Sequence, residues 1–275
     1  AKLTIQGRKV ISGTHRVSGN KNAALPMIAA SLLTAEPVTL TNVPDISDVR
    51  VMLEALKSFG SAVDAANLPR DGVVRIQTPK LKSAKIAPEL AAKLRTSFLF
   101  AGPLLARAGR ASLPPPGGDQ IGHRRLDTHF AGFKALGAKA QAGTKSLFFK
   151  GELKGAKILL DEASVTATEN ILMACVLAKG KTEIYNAACE PHIVDLANML
   201  NAMGAKIAGA GAQADTVLTT AAKVYNFFAA KGGNVDKATV TANADNTKVV
   251  VSDGTTCVEC DAAGNCTECA DCTVK

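Results

Sequence analysis

A short segment near the start of the chain carries residue types that could bind an anion. Residues 18–22 read Ser-Gly-Asn-Lys-Asn and stand directly before an apolar stretch with helical periodicity. At a helix N-terminus, backbone N–H groups and a lysine can hold a phosphate, so Lys21 and Asn22 are candidate ligands for an anionic substrate. An ordinary helix N-cap followed by a surface lysine is the alternative interpretation.

A Pro/Gly-rich loop carries the residue best suited to proton transfer. Residues 114–122 interrupt a regular pattern, and Asp119 is the only acid among them. Arg124, Arg125 and His129 follow within a few residues. An acid and several cations beside such a loop suit proton transfer next to an anionic substrate. A solvated loop that leads into a basic helix start is the alternative interpretation.

Two further predicted helix starts resemble the one at Lys21. Arg95 and Thr96 open a second apolar helix, and residues 164–168, which read Ser-Val-Thr-Ala-Thr, open a third. Each alone is typical of a cap. Because the three starts are equivalent in an internal repeat, we expect them to converge on one anionic ligand.

That repeat is the scaffold that would bring the segments together. Each of three units reads as an apolar helix, a short strand, a turn and a second helix that ends at a glycine. Leu33, Leu105 and Leu177 recur at one place in the units, 72 residues apart. The first helices are predicted at 22–33, 95–108 and 168–178, and the second helices at 48–59, 127–136 and 195–203.

The pattern of the units predicts an α/β fold. The first helices are apolar almost all round, so we expect them to be buried. Strands are predicted at 37–41, 110–113 and 182–185, and alternation of strands with helices is typical of α/β folds. Units of about 70 residues are too long for a common solenoid, which favours a closed pseudo-threefold domain that ends near Ile207.

Composition excludes several classes of protein. The 275 residues are 47% hydrophobic, so the chain is not a disordered one. Aromatic residues make up 4% and Trp is absent, which disfavours a nucleic-acid platform of stacked rings. The formal net charge of +8 favours anionic ligands. No segment predicts a membrane span or a signal peptide, so we expect a cytoplasmic protein without nucleic-acid or membrane partners.

The character of the chain changes after about residue 209. A strand at 216–220, a helix at 221–231 and strands at 238–242 and 248–252 are predicted there. The last 19 residues hold five cysteines with two CxxC spacings, which indicates a zinc site as one interpretation and reactive thiols as another. The candidate metal ligands are Cys257, Cys260, Cys266, Cys269 and Cys272.

Six motifs together resemble the UDP-N-acetylglucosamine enolpyruvyltransferase family. The resemblance runs in order from about residue 1 to 210 and is specific to this family rather than to the related enzymes that act on shikimate 3-phosphate. The motifs are Ser18-Gly-Asn-Lys-Asn-Ala-Ala-Leu-Pro26, Leu94-Arg-Thr-Ser97, Gly102-Pro-Leu-Leu-Ala-Arg107, Pro116-Gly-Gly-Asp-Gln-Ile-Gly122, Asp161-Glu-Ala-Ser-Val-Thr-Ala-Thr-Glu-Asn170 and Asn186-Ala-Ala-Cys-Glu-Pro191.

The resemblance implies a fold of two inverted α/β domains, each a barrel-like arrangement of three βαβαββ units with the substrate cleft between the domains. Residues 21–212 are then one whole domain, and residues 1–20 are strands that pack on the second domain in the family. Residues 213–275 are a divergent tail, and the second domain is largely missing from this chain.

The resemblance also implies substrates and binding residues. The family transfers enolpyruvyl from phosphoenolpyruvate to the 3′-hydroxyl of UDP-N-acetylglucosamine, the first committed step of peptidoglycan synthesis, without a cofactor. Lys21 and Asn22 are similar to residues that hold the phosphate and the sugar, and Arg95 and Arg124 to arginines that bind the anionic substrates. The segment that holds the uridine end is Arg124, Arg125, Leu126, Asp127 and Thr128, and the loop at the diphosphate is Glu162, Ala163, Ser164 and Val165.

The resemblance implies that the catalytic residues are Asp119, Lys21 and Arg124. Asp119 stands where the family usually has a cysteine, and a carboxylic acid can donate the same proton. It cannot form the stable thioether that fosfomycin makes with the cysteine, so we expect insensitivity to fosfomycin. Arg125 and Cys189 also depart from the family, which has Pro and Arg there.

Three interpretations of function remain open at this point. The first is an enolpyruvyltransferase. The second is a half-enzyme that binds a UDP-sugar or phosphate without turnover, because catalysis needs reacting groups placed from both sides of the cleft. The third is a metal-binding or interaction protein that acts through its cysteine-rich tail, and the abrupt change near Gly209 also fits a chimeric chain.

Overall fold

The computed structural model describes residues 3–4, 7–8, 12–15, 17–117, 125–212, 239–242, 248–252, 255–261 and 266–269. The predicted strand at 216–220 and the predicted helix at 221–231 lie outside these ranges. No helix among the described residues is long and apolar enough to cross a membrane.

The first unit is built on a three-stranded sheet with a central antiparallel strand. The strand order is β1-β3-β2, and β3 pairs with both neighbours through Ile76, which faces Val38 on one side and Val63 on the other. The elements are α1 (Lys21–Ala30), a 3₁₀ helix (Ser31–Leu33), β1 (Val38–Leu40), α2 (Ser47–Ser58), β2 (Ala62–Asp64), α3 (Leu68–Asp71) and β3 (Val74–Gln77).

The second unit repeats the order of the strands within the sheet. Its sheet has the strand order β4-β6-β5, and Lys85 adds a parallel bridge to Ser112 at the outer edge of β4. The elements are α4 (Pro88–Lys93), a 3₁₀ helix (Arg95–Phe100), α5 (Ala101–Ala108), β4 (Arg110–Leu113), α6 (Asp127–Ala135), β5 (Lys139–Ala142) and β6 (Leu147–Lys150).

The third unit shows the parallel pair of strands and both helices. Strand β7 runs parallel to β8, as Lys85 does to β4 in the second unit. Strands after α8 that would match β5 and β6 are not seen in the part of this unit that the structure describes, which ends at residue 212. The elements are β7 (Lys157–Leu159), α7 (Val165–Cys175), β8 (Glu183–Tyr185) and α8 (Pro191–Ala202).

Two helices begin three or more residues earlier than the sequence predicts. Helix α7 was expected from Thr168 but begins at Val165, because the side chain of Ser164 caps it by accepting from the Ala167 N–H. Helix α8 was expected from Asp195 but begins at Pro191, since proline has no N–H to satisfy and is preset for the first helical position.

The apolar helices of the three units are buried, as predicted. Helix α5 packs against α7 at Gly102, where an added Cβ would lie 2.3 Å from the Asn170 carbonyl oxygen. Helix α6 packs against α7 at Gly132, where an added Cβ would lie 2.2 Å from Ile171 Cδ1. Glycines on both neighbours therefore let α7 run through the centre of the core.

The three leucines that recur every 72 residues are not equally buried. Leu33 and Leu105 are buried, whereas Leu177 is 49% exposed. Helix α7 ends at Cys175, so Leu177 lies beyond the helix and turns out of the core.

One arginine from the sequence motifs is structural. The guanidinium of Arg107 donates to the carbonyl oxygens of Leu32 and Thr34 at 2.7 Å each, and to those of Thr78 and Pro79. It thereby satisfies carbonyls where the first unit's 3₁₀ helix ends and joins the first two units. Burial lowers the pKa of this guanidinium.

The tail forms an antiparallel sheet of four strands in the order β12-β11-β10-β9. The predicted strands at 238–242 and 248–252 are present with closely similar bounds, but the two strands that carry cysteines were not predicted. The strands are β9 (Thr239–Ala242), β10 (Lys248–Ser252), β11 (Cys257–Asp261) and β12 (Cys266–Glu268).

Candidate functional site

Lys21 and Asn22 lie at the start of α1, where the sequence predicts a phosphate site. The Asn20 side chain caps the helix by accepting from the Asn22 N–H at 2.8 Å. Lys21 Nζ donates to Asp48 Oδ2 at 2.8 Å, in the first turn of α2. We call this pair the α1–α2 junction. Its side chains are 52% and 27% exposed, so an anion from solvent can compete with Asp48 for the ammonium.

Asp161 joins the two segments that the resemblance assigns to the nucleotide. Arg125 donates to both carboxylate oxygens of Asp127, and its Nη2 donates to Asp161 Oδ2 at 2.9 Å. Thr128 Oγ1 donates to Asp161 Oδ1 at 2.7 Å. The hydrogen bond from Arg125 lowers the pKa of Asp127. Asp161 belongs to one of the motifs, but no role for it is evident from the sequence because its partners lie more than 30 residues away.

Behind this exposed cluster lies a buried set of polar contacts between α6 and α7. Asn170 Nδ2 lies 3.3 Å from His129 Nδ1, and His129 Nε2 lies 3.3 Å from Thr166 Oγ1. Asn170 is fully buried and His129 is 2% exposed. We call Asp161, His129, Thr166 and Asn170 the α6–α7 seam. Buried polar groups need partners, and these contacts fix the start of α6 against the start of α7.

His129 is uncharged at neutral pH. Burial, together with the nearby positive charge of Arg95, lowers its pKa to about 3 against the opposing negative charge of Asp127. The imidazole also packs edge-on against Phe98, with ring centroids 4.9 Å apart. A neutral, immobile imidazole can accept and donate one hydrogen bond each, so it suits positioning rather than proton transfer.

Arg95 and Leu126, two of the predicted substrate residues, line one small pocket. Thr96 and Thr166 line it too, and its volume is about 20 Å³. That volume holds one water-sized group. The structure therefore brings the start of the second unit's 3₁₀ helix together with the starts of α6 and α7.

The predicted diphosphate loop stands at the N-terminus of α7. Glu162 and Ala163 are exposed, and Ser164 and Val165 are half-buried. The first turn of α7 contains no acidic residue. The partial positive charge of this helix end is available to an anion.

Other predicted residues lie outside the site as described. Asp119 and Arg124, the predicted acid and one predicted arginine, fall outside the described residues. A larger pocket of about 810 Å³ lies along β8 and residues 204–212, and the described residues that line it include no predicted substrate residue. Its lining is mostly apolar.

The cysteine pattern that indicates zinc takes another form in the structure. Cys257 and Cys269 are joined by a disulfide, and the register places Cys260 directly across from Cys266. Positions 257 and 260 are three apart in one strand, so they lie on opposite faces of the sheet. A sulfur in a disulfide is not a thiolate ligand. Zinc in this tail, with Cys272 beyond the described residues, stays a prediction that requires the reduced chain.

Among the residues that the structure describes, no group of three or more His, Cys, Asp or Glu side chains could hold a metal ion.

Two solved structures share the fold of this chain. The enolpyruvyl transferase NikO from Streptomyces tendae superposes with a TM-score of 0.62 at 21% identity, covering 74% of this chain and 47% of that chain. An EPSP synthase from Acinetobacter baumannii gives a TM-score of 0.58 at 22% identity, covering 74% and 46%. Identities this low show the fold alone, and the inverted α/β fold predicted from sequence is confirmed.

Sequence relatives are closer. The UDP-N-acetylglucosamine 1-carboxyvinyltransferase of Treponema denticola is 52% identical over 213 residues, which cover 78% of this chain and 49% of the relative. That of Treponema pallidum is 53% identical over 213 residues, with the same coverage. That of Bradyrhizobium diazoefficiens is 51% identical over 207 residues, covering 75% and 47%. The chain spans about half the length of these curated relatives.

A family model supplies the last comparison. The model described as EPSP synthase (3-phosphoshikimate 1-carboxyvinyltransferase) matches residues 5–228, which is most of the chain. With its fold shared by two enolpyruvyl transferases and its relatives named as 1-carboxyvinyltransferases, the chain belongs to the EPSP synthase family of carboxyvinyltransferases.

Proposed function

We propose that this chain supplies one wall of an active site that transfers enolpyruvyl from phosphoenolpyruvate to the 3′-hydroxyl of UDP-N-acetylglucosamine. The observation that carries the proposal is the identity of 51–53% with carboxyvinyltransferases named for that sugar nucleotide. The α6–α7 seam supports it, because the seam joins the segment at Arg125 to the loop at Glu162 that the resemblance assigns to the nucleotide.

The reaction needs a proton donor and a place for phosphate. The enol carbon C3 of phosphoenolpyruvate takes a proton from Asp119 while the sugar oxygen bonds to C2 and gives up its own proton to a base. The tetrahedral intermediate then collapses, the C2–O bond to phosphate breaks, and C3 loses a proton to restore the double bond. Asp119 must therefore be protonated when substrate binds.

Cations stabilise the charge that leaves with phosphate. Lys21 holds the phosphate group once the anion displaces Asp48, and Asn22 contacts the sugar. Arg95 and Arg124 bind the remaining anionic groups, and residues 125–128 and 162–165 hold the uridine and diphosphate. We infer that this step of peptidoglycan synthesis takes place in the cytoplasm and needs no metal or organic cofactor.

Phosphate release from phosphoenolpyruvate tests the proposal, with and without UDP-N-acetylglucosamine. We expect release that depends on the sugar nucleotide and is lost in Asp119→Ala. The exposed Asp64→Ala, far along the chain from the predicted loop, is the matched control and should keep the activity. Release without the sugar nucleotide, or an active Asp119→Ala, would contradict the proposed mechanism.

The half-length coverage of the relatives favours a second candidate, substrate binding without turnover. Calorimetric titration with UDP-N-acetylglucosamine separates the two. Saturable binding without phosphate release, while a full-length relative turns over in the same buffer, would establish the binding-only function. Absence of both would contradict both candidates.

Fosfomycin tests the assignment of Asp119 without requiring turnover. We expect no covalent adduct at residues 114–122 of the wild-type chain by peptide mass spectrometry, because a carboxylate forms no thioether. Asp119→Cys should gain the adduct when UDP-N-acetylglucosamine is present. An adduct on the wild-type loop would refute the assignment.

A further inference from the structure

Hydrogen bonds around Asn170 fix the orientation of its side-chain amide. The Gly102 N–H can only donate, and it lies 2.8 Å from Asn170 Oδ1. That contact makes Oδ1 the acceptor, so Nδ2 is the donor at the other end of the amide. Nδ2 donates to the Phe98 carbonyl oxygen at 3.0 Å and faces His129 Nδ1 at 3.3 Å.

The amide orientation determines the tautomer of His129. A donor from Asn170 requires an unprotonated Nδ1, so the neutral ring carries its hydrogen on Nε2. Nε2–H then donates to Thr166 Oγ1 at 3.3 Å. Because that oxygen already accepts from His129, the hydroxyl hydrogen of Thr166 is directed away from the ring. Burial and the charge of Arg95 keep the ring neutral.

Two threonines and an arginine come together at the small pocket in front of the seam. Thr166, Thr96 and Arg95 all line it. Thr96 Oγ1 is buried and has no hydrogen-bond partner among the described residues. A buried hydroxyl without a partner is uncommon. Thr96 borders a space of about 20 Å³, which is large enough for one oxygen atom.

We propose that this pocket takes one oxygen of the sugar nucleotide UDP-N-acetylglucosamine, with Thr96 and Thr166 as hydrogen-bond donors beside Arg95. Asn170 then acts through His129 as a positioning residue, because the hydrogen bonds that it fixes turn the Thr166 hydroxyl toward that oxygen. The substrate half of this proposal rests on the proposed function. The tautomer of His129 does not.

Nuclear magnetic resonance of the ¹⁵N-histidine-labelled chain tests the positioning half without any ligand. We expect His129 to show a protonated Nε2 and an unprotonated Nδ1 at pH 7. Asn170→Asp keeps an acceptor for the Gly102 N–H but cannot donate to Nδ1, so the proton should move to Nδ1. A protonated Nδ1 in the wild-type chain would overturn the relay.

Titration calorimetry with UDP-N-acetylglucosamine tests the pocket. Thr166→Val removes the hydroxyl with little change of shape, and we expect affinity to fall about tenfold, the usual effect of losing a hydrogen bond to a charged group. Thr166→Ser keeps the hydroxyl and should bind as wild type does. Thr96→Val should weaken binding in the same way.

The coupling between Asn170 and Thr166 is the most discriminating measurement. In Asn170→Asp the Nε2 atom becomes an acceptor, so Thr166 must donate to it and turn from the pocket. Affinity should fall about as far as in Thr166→Val, and the double variant should lose no more than either single one. Circular dichroism identifies variants that have unfolded, and Thr166→Val, at a half-buried position, carries the test if Asn170→Asp does not fold.

The failures can be told apart. If wild type binds and Thr166→Val binds equally well, the oxygen pocket is wrong and the proposed function stands. If wild type does not bind, the pocket and the substrate binding proposed for this chain are both wrong. Additive losses in the double variant would overturn the relay from Asn170 to Thr166.

Discussion

The α6–α7 seam lies between two segments that the resemblance assigns to substrate, and the α1–α2 junction contains a lysine that it assigns to substrate, yet the two are built differently. Apart from the exposed Asp161, the seam rests on buried neutral hydrogen bonds around Asn170, and glycines on the neighbouring helices let them touch α7. The junction is a single ion pair, Lys21 with Asp48, largely in contact with water. Buried polar contacts hold a fixed geometry, whereas an exposed ion pair contributes little to stability and exchanges readily.

This difference matches what each place would have to do. A nucleotide is recognised by a surface that is already organised before binding, since that lowers the cost of ordering side chains. A lysine that holds phosphate must release its protein partner when substrate arrives. The comparison therefore predicts that substitutions at the closely packed helix contacts of the seam change stability strongly, whereas substitutions at the junction change affinity with little change of stability.

Gly102→Ala should produce the largest effect. Its Cβ would lie 2.3 Å from the Asn170 carbonyl oxygen, in the backbone of α7, and 3.0 Å from Asn170 Oδ1. The helices must separate, so we expect a loss of about 3 kcal/mol or more in the free energy of unfolding. That outweighs the gain of about 1 kcal/mol that alanine offers over glycine in a helix. Urea unfolding measures the change.

Gly132→Ala is the matched comparison on the other side of α7. There the clash is with the Ile171 side chain rather than with backbone. A side chain can change rotamer, so the loss should be smaller, about 1–3 kcal/mol. Equal stability of Gly102→Ala and wild type would mean that α5 does not approach α7 as closely as the structure shows.

Sequence reasoning found the scaffold of the seam but not the seam itself. Strand β4 was predicted with its observed bounds, and the apolar helices were predicted to be buried. His129 was noticed only as a polar neighbour of the loop. Its partner Asn170 lies 41 residues away, and periodicity reports which face of a helix is apolar, not which polar groups meet across helices.

The tail shows the same limit. Cysteine spacing in a sequence fits both metal ligands and strands that carry a disulfide. The choice depends on pairing across strands, and the register of β11 with β12 places Cys260 opposite Cys266. The same pairing, continued along the two chain segments, brings Cys257 opposite Cys269, and these two residues form the disulfide. Short spacing between the two CxxC pairs, with Gly264 and Asn265 between them, was the available sign of a hairpin.

Glu169→Gln should have the next largest effect, and it depends on pH. Burial, with the nearby negative charge of Glu190, raises the pKa of Glu169 to about 8. The folded chain therefore binds this proton more tightly than the unfolded chain. The stability it contributes is complete below the ordinary pKa of a glutamate and is lost as pH rises toward 8, on the order of 1.4 kcal/mol per unit.

Glutamine mimics the protonated side chain and removes this dependence. Melting temperatures of wild type and Glu169→Gln should be similar at pH 5, and the variant should be clearly more stable at pH 8.5. Glu36→Gln, at an exposed position, is the control and should follow wild type across the range. Parallel curves for Glu169→Gln and wild type would show that the carboxyl is ionised when folded.

Asp48→Asn should have the smallest effect on folding and the clearest effect on binding. The ion pair with Lys21 is exposed, so its loss should cost about 1 kcal/mol or less, including the favourable position of Asp48 in the first turn of α2. Lys21 is then released from its competitor. Affinity for phosphoenolpyruvate should rise several-fold at low salt and converge on wild type at high salt, where charges are screened. Lys21→Gln should weaken binding in both backgrounds, so that the double variant Lys21→Gln/Asp48→Asn shows no gain over Lys21→Gln alone. A large loss of stability in Asp48→Asn, with no gain in affinity, would make the α1–α2 junction a structural contact like the seam and remove the distinction between the two.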